Sequence, residues 1–159
     1  MKVIQVNQTT KRTASKERKF PAKADEKFIA ASLLKIVNDL STKKIRNRKL
    51  LGQKKEITIV FLSTADMKKL NFQFRKKNKP TDILSFPSHD PESLGELLLC
   101  PEVLQRQARE HRHSVRAETI YMLIHGVLHL LGYDHEQSKA EERLMFRIQD
   151  QCFKTLEPV

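Results

Sequence analysis

Apolar residues recur at helical spacing in five segments of the chain, and most of these segments begin at a residue that favours a helix start. In 25–40 the apolar positions, which a helix would bring to one face, are Phe28, Ile29, Leu33, Ile36, Val37 and Leu40. The other segments are 63–74, 101–111, 114–131 and 138–153, and their starts are marked by Ser63, Pro101, Ser114 and Ser138. The pattern therefore predicts five helices.

Four shorter segments, at 3–6, 57–62, 83–86 and 94–100, are rich in apolar residues and predict strands. Because strands and helices interleave along the chain, we expect an α/β fold of the mixed (α+β) kind. A single domain over 1–159, with a mixed sheet of about four strands packed with about five helices, accounts for the pattern. Residues 8–24 are polar and basic and contain Pro21, which predicts a loop or arm, and a basic connector leads to Lys55.

Positive charge is concentrated in two parts of the chain. Residues 1–55 contain 16 Lys/Arg and 4 Asp/Glu, residues 56–159 contain 14 and 15, and the whole chain has a net charge of +11. Within the second part, a short run without any acidic residue contains Lys68, Lys69, Arg75, Lys76, Lys77 and Lys79. Such clusters are typical of polyanion binding, although a solvated, solubilising face is the alternative interpretation.

The chain carries no signal for a membrane or for export. Its longest nearly apolar stretch, 121–133, is shorter than the roughly 18 residues of a membrane span and includes two histidines. The first residues lack the continuous apolar segment of a signal peptide. Cys100 and Cys152 have no ligand-like spacing, so we expect buried, reduced thiols. These features favour a cytoplasmic protein, bacterial as the first expectation and organellar as the second.

Three histidines form the most informative motif, HGVLHLLGYDH at 125–135. His125 and His129 are four residues apart, so a helix places them about 6 Å apart on one face, opposite its apolar side. Gly132 ends that helix and lets the chain turn back, so that His135 supplies a third ligand. Three neutral imidazoles leave one coordination position open, as in catalytic zinc sites. The spacing predicts one zinc ion per chain, although nickel or cobalt suits the same ligands.

The same histidine spacing occurs in the metzincin peptidases, whose motif is H-E-x-x-H-x-x-G-x-x-H. In those enzymes the glutamate after the first histidine is the general base. Gly126 occupies that position here. The motif therefore indicates a metal-dependent hydrolase with a zincin-like metal helix but argues against proteolysis.

Further segments, together with the histidine motif, closely resemble the YbeY family. They are LN at 70–71, FR at 74–75, KPTDILSFP at 79–87 and LGE at 94–96, and the resemblance extends from about Ile57 to the last helix. Two positions depart from the family pattern. Glu96 stands where aspartate is usual, and Ser88 stands directly after Ser-Phe-Pro, where an aromatic residue is often found.

The resemblance implies a metal-dependent endoribonuclease specific for single strands, acting in ribosomal RNA maturation, notably at the small-subunit 3′ end, and in ribosome quality control. It implies zinc at His125, His129 and His135, which with Arg75 facing the metal cleft form the catalytic set. Single-stranded RNA, ribosomal RNA and the small ribosomal subunit are then the expected partners. Ribosomal proteins or a GTPase are further candidates, and no membrane is involved.

Several neighbouring residues have two interpretations. The lysines that we expect to hold an RNA backbone beside Arg75 are Lys68, Lys69, Lys76, Lys77 and Lys79. Phe72 and Phe74 could stack on bases. Phe74, however, shares a helix face with Leu70, which predicts that one of the two phenylalanines is in the core. Asp134 either orients a histidine or caps the loop. His89, His111 and His113 are expected at the surface or near a helix end.

Two other functions remain open at this point. A zinc peptidase is disfavoured by Gly126 and by the basic character of the chain. A ribosome-assembly factor, in which zinc only stabilises the fold, would bind RNA without cutting it and would unfold when the metal is removed.

Overall fold

The computed structural model describes residues 6–8, 23–54 and 56–156. Its strands are β1 (Val6–Gln8), β2 (Glu56–Phe61), β3 (Ile83–Pro87) and β4 (Ser93–Leu99). They form one mixed sheet in the order β1-β2-β4-β3. Strands β1, β2 and β4 run parallel to one another. Strand β3 pairs antiparallel with β4 and forms an edge of the sheet.

Six helices occur in the described part of the chain, one more than predicted. They are α1 (Lys23–Ser41), α2 (Lys49–Gln53), α3 (Thr64–Arg75), α4 (Pro101–His111), α5 (Val115–Leu130) and α6 (Lys139–Leu156). The extra helix is α2, which lies in the expected basic connector and is too short for a helical period to be visible in the sequence. The prediction of a single mixed α/β domain is confirmed. Among the described residues, no helix combines the length and hydropathy needed to cross a membrane.

Three predicted helix starts are confirmed by their capping hydrogen bonds. The Ser63 hydroxyl accepts from the amide of Asp66 at 3.2 Å, and that of Ser114 accepts from Ala117 at 3.0 Å. Ser138 accepts from the amide of Glu141 at 3.1 Å and precedes α6. Each bond satisfies an amide of the first turn that has no partner within the helix.

Some predicted features lie outside the described residues. This applies to 3–5 of the first strand and to 9–22 of the basic arm. Of the predicted arm, Gln8 belongs to β1 and Lys23 begins α1. That the domain extends over all of 1–159 stays a prediction.

Successive side chains along the strands point to opposite faces of the sheet, and apolar residues are buried on both faces. Ile83, Leu97 and Leu99 belong to the main core, which also contains the apolar side of α5. Their neighbours Leu84 and Leu98 belong to a smaller core on the other face. The smaller core also contains Met67 of α3 and Cys100, whereas Cys152 lies in the main core. Both cysteines are buried and free, as predicted, and α3 and α5 lie on opposite faces of the sheet.

Helix α5 is buried over most of its surface, since it packs on β3 and β4 and against α1, α4 and α6. Gly126 lies at a close contact between this helix and the sheet. A Cβ atom there would lie 2.7 Å from Cδ1 of Ile83 and 2.8 Å from Cδ2 of Leu97. The missing side chain therefore lets α5 pack against the sheet beside the histidines.

Candidate metal centre

The imidazole rings of His125, His129 and His135 meet at one point of the structure. Nε2 of His129 lies 3.1 Å from Nε2 of His125 and 3.2 Å from Nδ1 of His135. One nitrogen from each ring lies within 4.8 Å of the other two. Two nitrogens bound to a tetrahedral metal ion at about 2.1 Å would be roughly 3.4 Å apart. The three histidines are therefore positioned to bind one metal ion.

Local backbone structure explains how His135 reaches the other two rings. After α5, the amide of Gly132 donates to the carbonyl of His129 at 3.0 Å, and the amide of Tyr133 donates to that of Leu128 at 3.1 Å. Gly132 has φ of +95°, which favours glycine, so the predicted helix stop is confirmed. Asp134 then accepts a hydrogen bond from the amide of Glu136 at 2.9 Å. Asp134 thus has the loop-capping role, one of the two that were predicted.

Hydrogen bonding and burial favour the protonation state that a metal requires. Oε1 of Gln149 lies 3.0 Å from Nδ1 of His125, so a neutral His125 donates from Nδ1 and presents the lone pair of Nε2 to the centre. Burial lowers the pKa of His125. Burial, with the neighbouring rings of His125 and His135, also lowers the pKa of His129 to about 4. Both rings are therefore neutral at pH 7.

Gln149 is a site residue that the sequence-based reasoning missed. It is fully buried, and its Nε2 donates to the carbonyl of Tyr121 at 3.1 Å, which fixes the orientation of its amide. The signal that could have identified Gln149 is its polar side chain on the buried face of α6, whose other buried residues are Met145, Ile148 and Cys152. A polar residue on such a face needs a hydrogen-bonding partner, but the sequence does not show which one.

Replacing Gln149 with leucine should weaken binding of a metal ion, assayed with zinc, by about 10- to 100-fold, because the His125 ring loses the acceptor that fixes its tautomer and orientation. Competition with a chromophoric chelator measures the dissociation constant. Gln151→Leu is the matched control, since Gln151 is an exposed residue of the same helix. Equal zinc affinity in Gln149→Leu and wild type would show that this hydrogen bond does not support the site.

The three rings face an open cleft of about 690 Å³. Its walls come from α3, β3, α5, α6 and the loop after α5, and they include Phe74, Arg75, Lys77, Ser85, Phe86, Tyr121, Met122, Glu136, Phe146 and Gln149. Arg75, at the end of α3, lines the cleft as predicted. Its guanidinium is paired with the carboxylate of Glu136, and the ammonium of Lys77 lies 3.4 Å from the same carboxylate. The cleft thus combines nitrogen ligands with two cations.

Glu136 belongs to the loop that carries His135, and its carboxylate has two cationic neighbours. Partial burial acts to raise its pKa, but the charges of Arg75 and Lys77 outweigh this and hold the pKa below its usual value. The carboxylate is therefore charged at neutral pH and partly neutralises both cations. Its position beside them was not visible in the sequence.

The basic run at 68–79 does not form one continuous wall of the cleft. Of its lysines, only Lys77 lines the cleft, and Lys68, Lys69, Lys76 and Lys79 are exposed elsewhere on the surface. The expectation that Phe72 or Phe74 is a core residue was wrong, because their side chains are 53% and 56% exposed. Leu70 is half-buried against the smaller core instead.

The other three histidines lie away from the cleft. His89 is exposed, and His111 ends α4 as predicted. The rings of His111 and His113 lie 3.1 and 3.5 Å from the buried carboxylate of Glu118, a partner that was not predicted. Within the described residues, only the triad forms a group of histidine, cysteine or carboxylate ligands with the spacing of a metal site.

Comparison with known proteins identifies relatives over most of the chain. The family model described as Endoribonuclease YbeY matches residues 14–157. An Endoribonuclease YbeY of Bdellovibrio bacteriovorus is 52% identical over 133 residues, which cover 84% of this chain and 87% of the relative. One of Persephonella marina is 36% identical over 137 residues, covering 82% and 83%.

A solved structure supports the same relationship. The solution structure of a Thermotoga maritima protein superposes with a TM-score of 0.57 and 26% sequence identity, covering 95% of this chain and 87% of the other. The relatives with this family name are bacterial proteins. A family match over nearly the whole chain and relatives of this identity establish that the chain belongs to the Endoribonuclease YbeY family.

Proposed function

We propose that this chain is a metal-dependent endoribonuclease that cuts single-stranded RNA, with His125, His129 and His135 holding the metal ion. The observation that carries the proposal is the position of Arg75, whose guanidinium lines the same cleft as the three convergent imidazoles. A cleft with these groups suits a phosphodiester, because both a metal ion and a guanidinium bind phosphate oxygens. The proposal also agrees with the family assignment.

Each charged group of the cleft then has a defined role. Arg75 binds a nonbridging oxygen of the scissile phosphate through its planar fork and stabilises the charge that develops there. Lys77 binds a neighbouring phosphate through sequence-independent contacts, and Lys68, Lys69, Lys76 and Lys79 attract the strand toward the cleft. The metal ion supplies Lewis-acid polarisation of the phosphate when bound. Gln149 keeps the His125 ring in the ligating tautomer.

The finer assignment follows the family resemblance. Zinc is the proposed metal, since three imidazoles with an open position suit it well. Ribosomal RNA is the proposed natural substrate, cut near the 3′ end of the small-subunit RNA, and the ribosome and its quality control are the proposed setting. We place this activity in a bacterial cytoplasm, in line with the bacterial relatives.

Cleavage of a single-stranded RNA that spans the small-subunit 3′ end tests this function. We expect the metal-loaded protein to cut this RNA internally, to lose activity with a chelator and to regain it when zinc is returned. The same sequence in a duplex and casein are the matched controls, and neither should be cut. RNA that is bound but never cut would favour an assembly factor instead, and chelator-sensitive hydrolysis of casein would favour a peptidase.

Replacing Gly126 with glutamate, which restores the peptidase motif, should destabilise the fold without creating a peptidase. A side chain there would enter the packed contact with Ile83 and Leu97 and bury an unpaired charge, so we expect a loss of at least about 3 kcal/mol in the free energy of unfolding. Urea denaturation measures it. Gly52→Glu is the control, since no atom lies within 4 Å of a Cβ at that position. An unchanged stability of Gly126→Glu would contradict this packing argument.

Replacing Glu136 with glutamine should tighten binding of single-stranded RNA by about two- to fivefold, since a carboxylate that competes with phosphate for Arg75 and Lys77 is removed. Fluorescence anisotropy at constant ionic strength measures the affinity. Glu110→Gln is the control, because Glu110 is an exposed residue of α4 that pairs with Arg106. Weaker RNA binding by Glu136→Gln would mean that the carboxylate positions the cations for RNA.

A further inference from the structure

Two phenylalanines of α3 are unusually exposed and lie among basic residues. Phe72 and Phe74 leave 53% and 56% of their surface in solvent, more than Leu34 at 41%, the third large apolar side chain with high exposure among the described residues. Single exposed apolar residues are common and have no special meaning. Phe74, however, lies in the wall of the histidine cleft, directly before Arg75 in the chain.

The ring of Phe74 is held by a second aromatic side chain. It packs against Phe86 of β3 with the ring centroids 4.9 Å apart and the ring planes at 66°. Phe86 lines the same cleft and packs against the smaller core, so the pair is anchored to the sheet. Since an edge-to-face contact covers the ring faces only in part, the pair offers aromatic surface to the cleft at a defined position.

Phe72 has a different environment, although it lies two residues away. Two residues on a helix are separated by about 200°, so Phe72 points away from the side on which Phe74 lies. The Lys76 ammonium lies 6.0 Å from the centroid of the Phe72 ring. Phe72 does not line the histidine cleft. It is therefore a matched comparison for Phe74, with the same chemistry, helix and exposure but a different location.

We propose that Phe74, supported by Phe86, stacks on an unpaired nucleobase beside the phosphate that Arg75 binds, and that this contact helps the cleft select single strands. The inference rests on the proposed function, because it assigns a nucleotide subsite to the same cleft. Phe74 and Arg75 are consecutive residues that line one wall, so a strand whose phosphate lies on Arg75 has an adjacent nucleotide next to Phe74. Phe74 and Arg75 thus contact the base and the backbone of one strand.

Stacking on Phe74 explains single-strand selection in physical terms. Every base has a π-face, so stacking on an aromatic side chain depends little on sequence. In a duplex, both faces of a base are covered by its neighbours, and unstacking it costs free energy. Phosphate contacts alone do not distinguish the two forms in this way, because both carry a charged backbone.

Phe74→Ala, compared with Phe72→Ala, tests the role of the ring. We expect Phe74→Ala to weaken binding of a single-stranded oligoribonucleotide by about 5- to 100-fold at constant salt and to lower its preference for a single strand over a duplex. Phe72→Ala should bind within about twofold of wild type, and Phe74→Trp should retain affinity. Fluorescence anisotropy and single-turnover cleavage are the readouts. Zinc content should stay unchanged and the unfolding midpoint should fall only slightly, since the ring is more than half exposed and loses only its contact with Phe86.

A series of oligonucleotides with one abasic nucleotide, moved stepwise along the strand, identifies the stacked base. At one position we expect the abasic change to weaken wild-type binding as much as Phe74→Ala does, with no further loss when both changes are combined. Additive losses at every position, or wild-type affinity in Phe74→Ala, would overturn the proposal. So would a loss of self-association in Phe74→Ala without any effect on RNA, because the ring would then serve contact between protein copies.

The outcomes separate this proposal from the proposed function. If the wild-type protein cuts RNA and Phe74→Ala cuts and binds it equally well, the nuclease assignment stands and the stacking site is wrong. If the wild-type protein binds no RNA at all, both fail, and the failure is visible before any variant is compared.

Discussion

Replacing His129 with alanine should lower cleavage of single-stranded RNA by on the order of a thousandfold or more, to the level of the chelated wild-type protein. Nε2 of His129 is the central nitrogen of the triad, 3.1 Å and 3.2 Å from its two partners, so its loss leaves the other rings without a third ligand. Single-turnover cleavage and zinc content measured on the same preparation test this.

A histidine outside the cleft provides the control. His89 is exposed and does not line the cleft, so His89→Ala should keep full activity and one zinc ion per chain. Circular dichroism shows whether both variants remain folded. Cleavage by His129→Ala at the wild-type rate would indicate a contaminating nuclease or an active site elsewhere on the protein, and the metal centre would lose its proposed catalytic role.

Replacing Arg75 with alanine should reduce the single-turnover rate by about 100- to 1,000-fold while zinc remains bound. The guanidinium lines the cleft beside the histidines but is not a metal ligand, so its loss removes charge stabilisation at the phosphate and leaves the metal site intact. Arg75→Lys should recover only part of the rate, because an ammonium lacks the planar, bidentate fork.

Arg106 serves as the matched control for Arg75. It is a partly exposed arginine of α4 that faces Glu110, outside the cleft. Arg106→Ala should therefore cleave RNA like wild type. If Arg75→Ala keeps its cleavage rate but binds RNA more weakly, Arg75 contributes ground-state binding instead of transition-state stabilisation.

Local interactions made much of the site predictable. The placement of His125 and His129 follows from the period of one helix, and Gly132 ends that helix through its own backbone conformation. Helix starts at Ser63, Ser114 and Ser138 depend on hydrogen bonds between residues three apart. Such features lie within a few residues of the chain and need no tertiary information.

Family resemblance extended these predictions to Arg75, which is one of 30 Lys/Arg residues in the chain. The basic run around Arg75 was visible in the sequence, but which of its residues line the cleft was not. Phe74 and Arg75 are the last residues of α3 and line the cleft, whereas Lys76 adopts a left-handed conformation (φ 58°) at the helix end and does not line it, and Lys77 beyond it does. The position of α3 relative to the sheet decides which of them face the histidines.

The sequence by itself determined the mixed fold, the three convergent histidines and the absence of a glutamate at Gly126. Only the tertiary structure decided that Gln149 orients His125, that Glu136 pairs with Arg75 and that Phe74 is exposed beside Phe86. The reason is that these contacts join side chains 24, 61 and 12 positions apart. Their existence depends on how α3, α5, α6 and β3 pack together, and no local period or cap records that packing.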